Sequence, residues 1–360
     1  DFLYGQKHKP NKCSVCLVKM VKQDGLNVKF LHDCLLIEDI LVIGDLHIGH
    51  GEQFDGGAVL PGLQLKEILK KLDEIFNYLE NEKIKIDKIV LLGDVKHDFG
   101  KITDIEWRET LEFFNFLKKK LEGSDKINNK TLKYGADKIG SGINKNNFEN
   151  KIIVVRGNHD NILKPIVKKI GIKLFDYYCV NIKSNKKDKI INKLRLVGGD
   201  KWIGNIKINK NKEMKICFLH GNKLFKRCLD NQTDVLIFGH LHPAITLYDK
   251  YKAEKYKCFL RGLWKIDSRN KEVYILPNFS SVGFGYDLRN IDNINERGRT
   301  GILNWFSKLK SKSKNIKRDK SKLKKTSRNK GRFFVIPNNI LKNFEVVVYN
   351  NKEKKEYSFG

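Results

Sequence analysis

The sequence predicts an α/β fold, and two observations carry that prediction. Five short runs rich in Val, Ile and Leu each end in glycine or a polar side chain, and helical periodicity lies between the first two. Apolar runs without polar alternation are typical of strands that are buried on both faces. Strands that alternate with helices along a chain indicate an α/β architecture.

The predicted strands share a β-rich apolar body and a polar or glycine end. In chain order they are "DILVIGD" (39–45), "DKIVLLGD" (87–94), "NKIIVVRGN" (150–158), "MKICFLHG" (214–221) and "DVLIFGH" (234–240). Apolar residues at three- and four-residue spacing predict a helix over 63–82, and a second helix is expected over 105–121. Returning strands are expected over 332–350, "RFFVIPNNILKNFEVVVYN".

The chain has 360 residues, 40% of them apolar, which is enough for one large domain or two small ones. We expect one main domain over 35–350, preceded by an N-terminal extension with strands (1–34) and followed by a tail (351–360). Polar composition predicts three insertions in the main domain, at about 123–150, 183–193 and 295–332.

The formal net charge is +29, and it is concentrated in one segment. Residues 308–332 hold 13 Lys or Arg against one Asp, which makes that part of the third insertion strongly basic. Such an excess indicates an anionic partner, most often nucleic acid. A lysine-rich composition of the kind that AT-rich genomes encode would give the same charge without a binding role, and both interpretations stay open.

The cysteines and the hydropathy pattern bear on location. Seven cysteines are scattered along the chain, which favours reduced thiols in the cytoplasm over a disulfide framework. Cys13 and Cys16 form one C-x-x-C, but a zinc site of that type needs a second pair. No stretch of 18 apolar residues occurs, so no membrane span is expected.

Polar side chains follow all five predicted strands, where loops of an α/β sheet converge on ligands. Seven of the nine histidines lie in these segments or just beyond them. The side chains, in strand order, are Asp45 and His47; Asp94 and His97; Asn158, His159 and Asp160; His220; His240 and His242. A single histidine is usually structural, but clustering at five strand ends favours a metal site.

Carboxylates, an amide and imidazoles together suit Mn, Fe, Zn or Co. The absence of cysteine from these segments argues against a structural thiolate zinc site. The set exceeds what one tetrahedral ion needs, and it fits two ions that share a carboxylate. If the segment is extended, His240 and His242 point to one side about 6.5 Å apart, so each can reach a different ion of a pair.

The motifs at the ends of the predicted strands resemble those of a known enzyme family. The series "GDLH" (44–47), "GD" (93–94), "GNHD" (157–160), "HG" (220–221) and "GHLH" (239–242) resembles the calcineurin-like metallophosphoesterases. More narrowly, "DLHIGHGEQFDGGAVLPGLQ", "GDVKHDF" and "LPNFSSVGFG" are similar to the SbcD-related phosphoesterases of archaea and the bacterial DNA-ligase-associated group. The resemblance implies a four-layer α/β/β/α sandwich.

The resemblance also implies a ligand set for two divalent transition-metal ions, with Mn as the first choice. One ion would be held by Asp45, His47 and His242, the other by Asn158, His220 and His240, with Asp94 bridging them.

The resemblance implies that His159 protonates the leaving oxygen and that Asp160 orients its ring. A metal-bridging hydroxide would attack phosphorus in line with the leaving group, because metal binding lowers the pKa of water to about 7. The family often has an acidic residue where this chain has His97, which would then support the site, touch substrate or simply pack. His50 is expected at the rim, and Arg156 would contact phosphate or form a structural pair.

These residues predict a dinuclear phosphodiesterase or nuclease that acts on nucleic acid or nucleotides. The alternatives are a phosphomonoesterase or small-nucleotide hydrolase and, less favoured, a non-catalytic nucleic-acid-binding scaffold. By analogy with the family, DNA-repair proteins are candidate partners, and a cytoplasmic location is expected.

Overall fold

The computed structural model describes most of the predicted main domain. The described residues are 26–50, 62–126, 150–183, 194–195, 202–203, 213–249, 252–281, 283, 285–289, 334–350 and 355–359. The basic insertion at 295–332 lies outside them, as do most of the insertions at 123–150 and 183–193. Cys13 and Cys16 also lie outside the described residues.

The strands and helices of the described residues follow the predicted order. The strands are β1 (Val28–Leu31), β2 (Cys34–Ile37), β3 (Ile40–Ile43), β4 (Lys88–Leu91), β5 (Ile152–Val155), β6 (Leu174–Phe175), β7 (Tyr178–Lys183), β8 (Leu194–Arg195), β9 (Trp202–Ile203), β10 (Glu213–Leu219), β11 (Thr233–Phe238), β12 (Pro243–Asp249), β13 (Lys252–Lys257), β14 (Phe259–Ile266), β15 (Arg269–Ile275), β16 (Tyr286–Asp287), β17 (Glu345–Asn350) and β18 (Lys355–Phe359). The helices are α1 (Leu63–Asn81), α2 (Asp104–Lys126), α3 (Lys164–Lys169), α4 (Lys226–Leu229) and α5 (Asn338–Leu341).

Two large sheets organise the described residues. The first has the order β1-β2-β3-β4-β5-β6, antiparallel up to β3 and parallel from β3 to β6. Its parallel steps contain α1, α2 and α3 as crossovers, as parallel pairing requires. The second has the order β18-β17-β14-β15-β11-β10-β7, with β15, β11 and β10 parallel. Smaller sheets are formed by β13-β12-β16 and by β8-β9.

The apolar strands are buried on both faces, which explains their continuous Val, Ile and Leu. On β3, Leu41 and Ile43 pack into a core shared with α1, α2 and α3, while Ile40 and Val42 pack into a core between the two sheets. Strands β10 and β11 divide their side chains in the same way, and their outer faces meet α4, α5 and neighbouring residues. Three cores between four layers confirm the α/β/β/α sandwich.

Helix α1 shows the amphipathic pattern that the sequence predicts. Its buried side chains recur at three- and four-residue spacing and include Leu65, Ile68, Leu72 and Ile75. The other face carries lysines and glutamates in water. No helix within the described ranges is both long and apolar enough to cross a membrane.

The end of the chain differs from the expected run of strands over 332–350. Residues Asn338–Leu341 form the short helix α5, and the strand begins only at Glu345. Phe334, Ile336 and Leu341 fill the outer core of the second sheet, a role that short apolar runs can fulfil in either conformation. Beyond it, Lys355–Phe359 pairs with β17 as the edge strand β18, within the segment expected to be a tail.

The expectation of reduced thiols is wrong for one cysteine pair. Cys179 and Cys217 form a disulfide between β7 and β10, where they are directly opposite in the antiparallel register with Cα atoms 4.2 Å apart. The pair is 38 residues apart in the chain, so only the strand register brings the two thiols together. Cys34, Cys228 and Cys258 are free and buried.

The packing of α1 gives a stability prediction with a control on the same helix. Leu72 is 0% exposed and Leu63 is 48% exposed. Leu72→Ala should lower the free energy of unfolding by about 2–5 kcal/mol because it leaves a cavity against the first sheet. Leu63→Ala should stay within about 1 kcal/mol. Urea unfolding of both variants checks this, and equal losses would contradict the packing described.

Candidate metal centre

The loops after five strands bring the predicted ligands into two neighbouring groups. Within each group, one ligand atom from each residue lies within 4.8 Å of the others. The first group, which we call cluster 1, is Asp45, His47 and His242; the second, cluster 2, is Asp94, His220 and His240. Asn158 joins cluster 2, since its Oδ1 lies 2.9 Å from His220 Nε2.

The Asp94 carboxylate belongs to cluster 2 and also faces cluster 1. Its Oδ2 is 3.9 Å from His47 Nε2 in cluster 1 and 3.3 Å from His220 Nε2 in cluster 2. Its Oδ1 accepts a hydrogen bond from the His159 backbone N–H at 2.8 Å. The side chain is therefore fixed by one oxygen and faces both clusters, which is the geometry a bridging ligand needs.

Four of these residues have left-handed backbone conformations, which non-glycine residues adopt infrequently. The φ angles are 47° at His47, 47° at Asp94, 64° at His240 and 49° at His242. Strain of this kind costs on the order of 1–3 kcal/mol per residue and clusters at functional sites. The backbone conformation therefore serves the placement of the side chains.

The φ angles of His240 and His242 show that the segment after β11 is not extended, contrary to the expectation from the sequence. Strand β11 ends at Phe238, and the segment with His240 and His242 is a turn, not an extended strand. The two imidazoles nevertheless reach different clusters, as predicted. The turn, and not strand alternation, separates them.

Two glycines allow the carboxylates to approach the backbone. A Cβ at Gly157 would lie 2.0 Å from Asp94 Oδ1, and a Cβ at Gly239 would lie 2.5 Å from Asp45 Oδ2. The same oxygens accept hydrogen bonds from backbone N–H groups just after each glycine. His159 N donates to Asp94 Oδ1 at 2.8 Å, and His240 N donates to Asp45 Oδ2 at 3.0 Å. Each carboxylate keeps its second oxygen for the centre of the site.

Cluster 1 contains buried polar atoms that its own residues do not satisfy. Asp45 Oδ1, His47 Nδ1 and His242 Nε2 are buried and have no hydrogen-bond partner among the described residues. Asp45 Oδ1 and His242 Nε2 are 3.1 Å apart. An unsatisfied buried group costs about 1–3 kcal/mol, and a divalent cation that accepts the lone pairs of Asp45 Oδ1 and His242 Nε2 would remove that cost. The residues present fit an ion of the class that imidazole and carboxylate prefer.

Cluster 2 holds its central imidazole in one orientation. His220 is buried and its Nδ1–H donates to the Leu92 carbonyl at 2.9 Å, which presents Nε2 to Asn158 and Asp94. A hydrogen bond on the far nitrogen is how metal-binding histidines are usually oriented. Burial disfavours the charged ring, but Asp94 and Asp45 outweigh it and raise the pKa of His220 to about 9.

At neutral pH most of the ligands are in the form that binds a metal ion; the exception is His220, whose raised pKa keeps it protonated, so an ion that binds there must displace its Nε2 proton. Burial opposes ionisation of both carboxyls, but the neighbouring imidazoles, His242 for Asp45 and His220 for Asp94, outweigh it. The pKa of Asp45 lies well below its usual range, and that of Asp94 is lowered to about 2. Burial lowers the pKa of His47 and of His240 to about 3, so their rings are neutral. Ionised carboxylates and neutral imidazoles are the forms that bind metal.

His159 is oriented by a different group from the one expected. Its Nδ1 hydrogen-bonds the His97 carbonyl, and its Nε2 lies 3.8 Å from Asp94 Oδ2. The buried Asp160 carboxylate instead accepts hydrogen bonds from the backbone N–H groups of Val95 at 3.0 Å and Gly157 at 2.9 Å. Burial, with the Asp94 charge, raises the pKa of Asp160 to about 7. Asp160 thus ties together the loops after β4 and β5.

Three candidates lie outside the two clusters, namely His97, His50 and Arg156. The His97 and His50 rings pack with centroids 3.9 Å apart, and the His97 ring is 5.4 Å from that of His47. His97 therefore lines the site beside cluster 1. Arg156 takes the structural alternative, with its Nη1 3.4 Å from Asp176 Oδ1.

Sequence reasoning missed Gln64, which shapes the loop that carries His47. Its side chain accepts from Gly49 N at 3.1 Å and donates to the His47 carbonyl at 2.9 Å and to Ser280 Oγ at 2.7 Å. A polar residue on the buried face of α1, two positions into the helix, was the available signal.

Comparisons with known proteins agree with the site's motifs. The family described as "Calcineurin-like phosphoesterase" matches residues 39–244. No curated protein matches the chain. Among solved structures, the chain is similar to one described as "Crystal structure of Pseudomonas putida nuclease MPE", with 17% identity, 72% of this chain and 91% of that chain covered, and a TM-score of 0.33. A likeness of that degree does not indicate a shared activity.

The contact at Gly157 gives a prediction about metal affinity. Gly157→Ala should weaken Mn binding at least about tenfold, because the new Cβ displaces the Asp94 carboxylate. Gly100→Ala is the matched control, since a Cβ there meets nothing within 4 Å. Mn titration by calorimetry, with thermal unfolding to verify folding, measures both. Unchanged Mn affinity in Gly157→Ala would show that Asp94 is not a ligand.

Proposed function

The chain belongs to the calcineurin-like phosphoesterases, enzymes that hydrolyse phosphoesters with metal ions, and we propose that it is a phosphodiesterase acting on nucleic acid or nucleotides. The observation that carries the proposal is the Asp94 carboxylate, which belongs to one His/Asp cluster and faces the other, with His159 beside it. A non-catalytic scaffold has no need for this complete set.

The proposed metal assignment follows the clusters. One ion would be held by Asp45, His47 and His242, the other by Asn158, His220 and His240, with Asp94 shared. Two divalent ions, when bound, lower the pKa of water and neutralise charge on the phosphoryl oxygens. Mn is the first candidate, and Fe, Zn and Co are alternatives with the same ligand preference.

His159 is the proposed proton donor to the leaving oxygen. A carbonyl can only accept, so the His97 oxygen fixes a proton on Nδ1 of the His159 ring. The second proton of the imidazolium then sits on Nε2, the nitrogen on the side of Asp94. Transfer of that proton to the leaving oxygen returns a neutral ring whose orientation is unchanged.

The nucleic-acid part of the proposal rests on charge and motifs. The net charge of +29 and the segment 308–332 favour a polyanionic substrate, and the SbcD-like motifs favour DNA. A phosphomonoesterase or small-nucleotide hydrolase is the second candidate, because the same ligand set serves those reactions. A DNA-repair partner and a cytoplasmic location stay predictions.

Substitutions of Asp94 and His159 test the chemistry. With bis-p-nitrophenyl phosphate and Mn, Asp94→Asn should abolish hydrolysis, whereas Asp73→Asn on the exposed face of α1 should keep it.

His159→Gln should lower the rate of hydrolysis of phenyl or alkyl esters about 10²–10⁴-fold. It should lose less on p-nitrophenyl esters, because p-nitrophenolate leaves without a proton. Equal losses on all esters would rule out His159 as the proton donor.

Salt dependence tests the substrate class. A nuclease that binds DNA phosphates through basic side chains should lose DNA cleavage steeply between about 50 and 200 mM salt, while hydrolysis of a small ester changes little.

Deletion of 308–332 should weaken DNA binding and reduce the salt dependence of that binding. Hydrolysis of the small ester by the deletion variant verifies that it is folded. If DNA affinity is unchanged, the basic segment has no binding role.

A further inference from the structure

An exposed aromatic ring stands beside the proposed proton donor. Phe99 has the most exposed large apolar side chain among the described residues, at 55%. Its ring centroid is 3.6 Å from that of His159, with 34° between the planes. Part of the ring therefore contacts the catalytic candidate, and the rest faces solvent at the site.

The loop that carries Phe99 is held by two buried charged side chains. The fully buried Lys96 donates through Nζ to the carbonyls of Asp98 and Lys101. The buried Glu106 accepts the backbone N–H groups of His97 at 3.1 Å, Asp98 at 2.8 Å and Thr103 at 3.3 Å. Buried charges are tolerated only when hydrogen bonds compensate them, as they do here.

These bonds fix the backbone on both sides of Phe99. A Phe that served only to pack would gain more by turning its ring into a core. Here the fixed loop holds the ring in water, in contact with His159. An aromatic side chain presented in this way is suited to stack on a planar ring of a ligand.

We propose that Phe99 is a binding residue that stacks on a planar aromatic ring in the leaving group of the substrate. This inference rests on the proposed function, in which His159 protonates the leaving oxygen, because contact with His159 puts Phe99 on the leaving side. The ring would be a nucleobase in a nucleotide substrate or an aryl group in another ester. Stacking of a base on a protein aromatic ring is sequence-tolerant.

Binding of two sugar phosphates to the Mn-loaded protein tests the inference. Thymidine 5′-phosphate and 2-deoxyribose 5-phosphate share the sugar phosphate and differ in the base. Calorimetry should give about tenfold tighter binding of thymidine 5′-phosphate to the wild type. Phe99→Leu should bring the ratio of the two dissociation constants close to one, and Phe99→Tyr should restore it.

A remote control separates stacking from a general loss of apolar surface. Leu263 on β14 is 53% exposed, so Leu263→Ala should keep the wild-type ratio. A wild-type ratio near one, or a ratio that survives in Phe99→Leu, would overturn the inference. Because binding is measured, this result does not depend on turnover.

Kinetic measurements on two pairs of esters show whether the ring that stacks on Phe99 is a nucleobase or any planar aromatic group. The 5′-methylphosphodiester of thymidine is compared with its abasic analogue, and benzyl methyl phosphate with cyclohexylmethyl methyl phosphate. Each pair has leaving alcohols of similar acidity. In each pair, we compare kcat/KM for the ester that has the planar ring with kcat/KM for its partner. A preference for the ring that Phe99→Leu removes supports a nucleobase if it occurs in the thymidine pair alone. The same preference in both pairs supports recognition of any planar ring. Failure to hydrolyse bis-p-nitrophenyl phosphate would instead count against the proposed function.

Discussion

The arrangement of the site depends on two buried carboxylates, Asp45 and Asp94, each of which faces imidazoles of both clusters. Each has one oxygen anchored by a backbone N–H group and the other directed at the centre. Negative charge in a low-dielectric interior is tolerated only with a compensating cation. The left-handed residues, the close glycines and the oriented ring of His220 all serve this pair.

The fold supplies that arrangement because the carboxyl ends of parallel strands from both sheets meet. Strands β3, β4 and β5 deliver Asp45, Asp94 and Asn158 from the first sheet, and β10 and β11 deliver the histidines from the second. Backbone hydrogen bonds link the loops, such as His47 N to Asp94 O at 2.9 Å and Gly239 N to His220 O at 3.0 Å. Each cluster takes ligands from both sheets, so the core between the sheets fixes how the ligands within each cluster meet.

Much of this was predictable because short-range patterns carry it. Apolar runs located the strands, and polar side chains at their ends located both clusters. What depended on tertiary contact was not predictable. The His240–His242 turn, the engagement of Asp160 by backbone amides and the Cys179–Cys217 pair all require knowledge of the strand register or of neighbouring loops. The short segment at 338–341, Asn-Asn-Ile-Leu, suited a helix as well as a strand, and packing of Leu341 on the second sheet decided between them.

We propose that Asp94 bridges two divalent ions, and anomalous diffraction from crystals of the Mn-loaded protein is the most direct test. We expect two anomalous peaks about 3.5–4 Å apart, one beside Asp45, His47 and His242 and one beside Asn158, His220 and His240, with an Asp94 oxygen near each. A single peak, or two peaks that Asp94 does not contact, would contradict it.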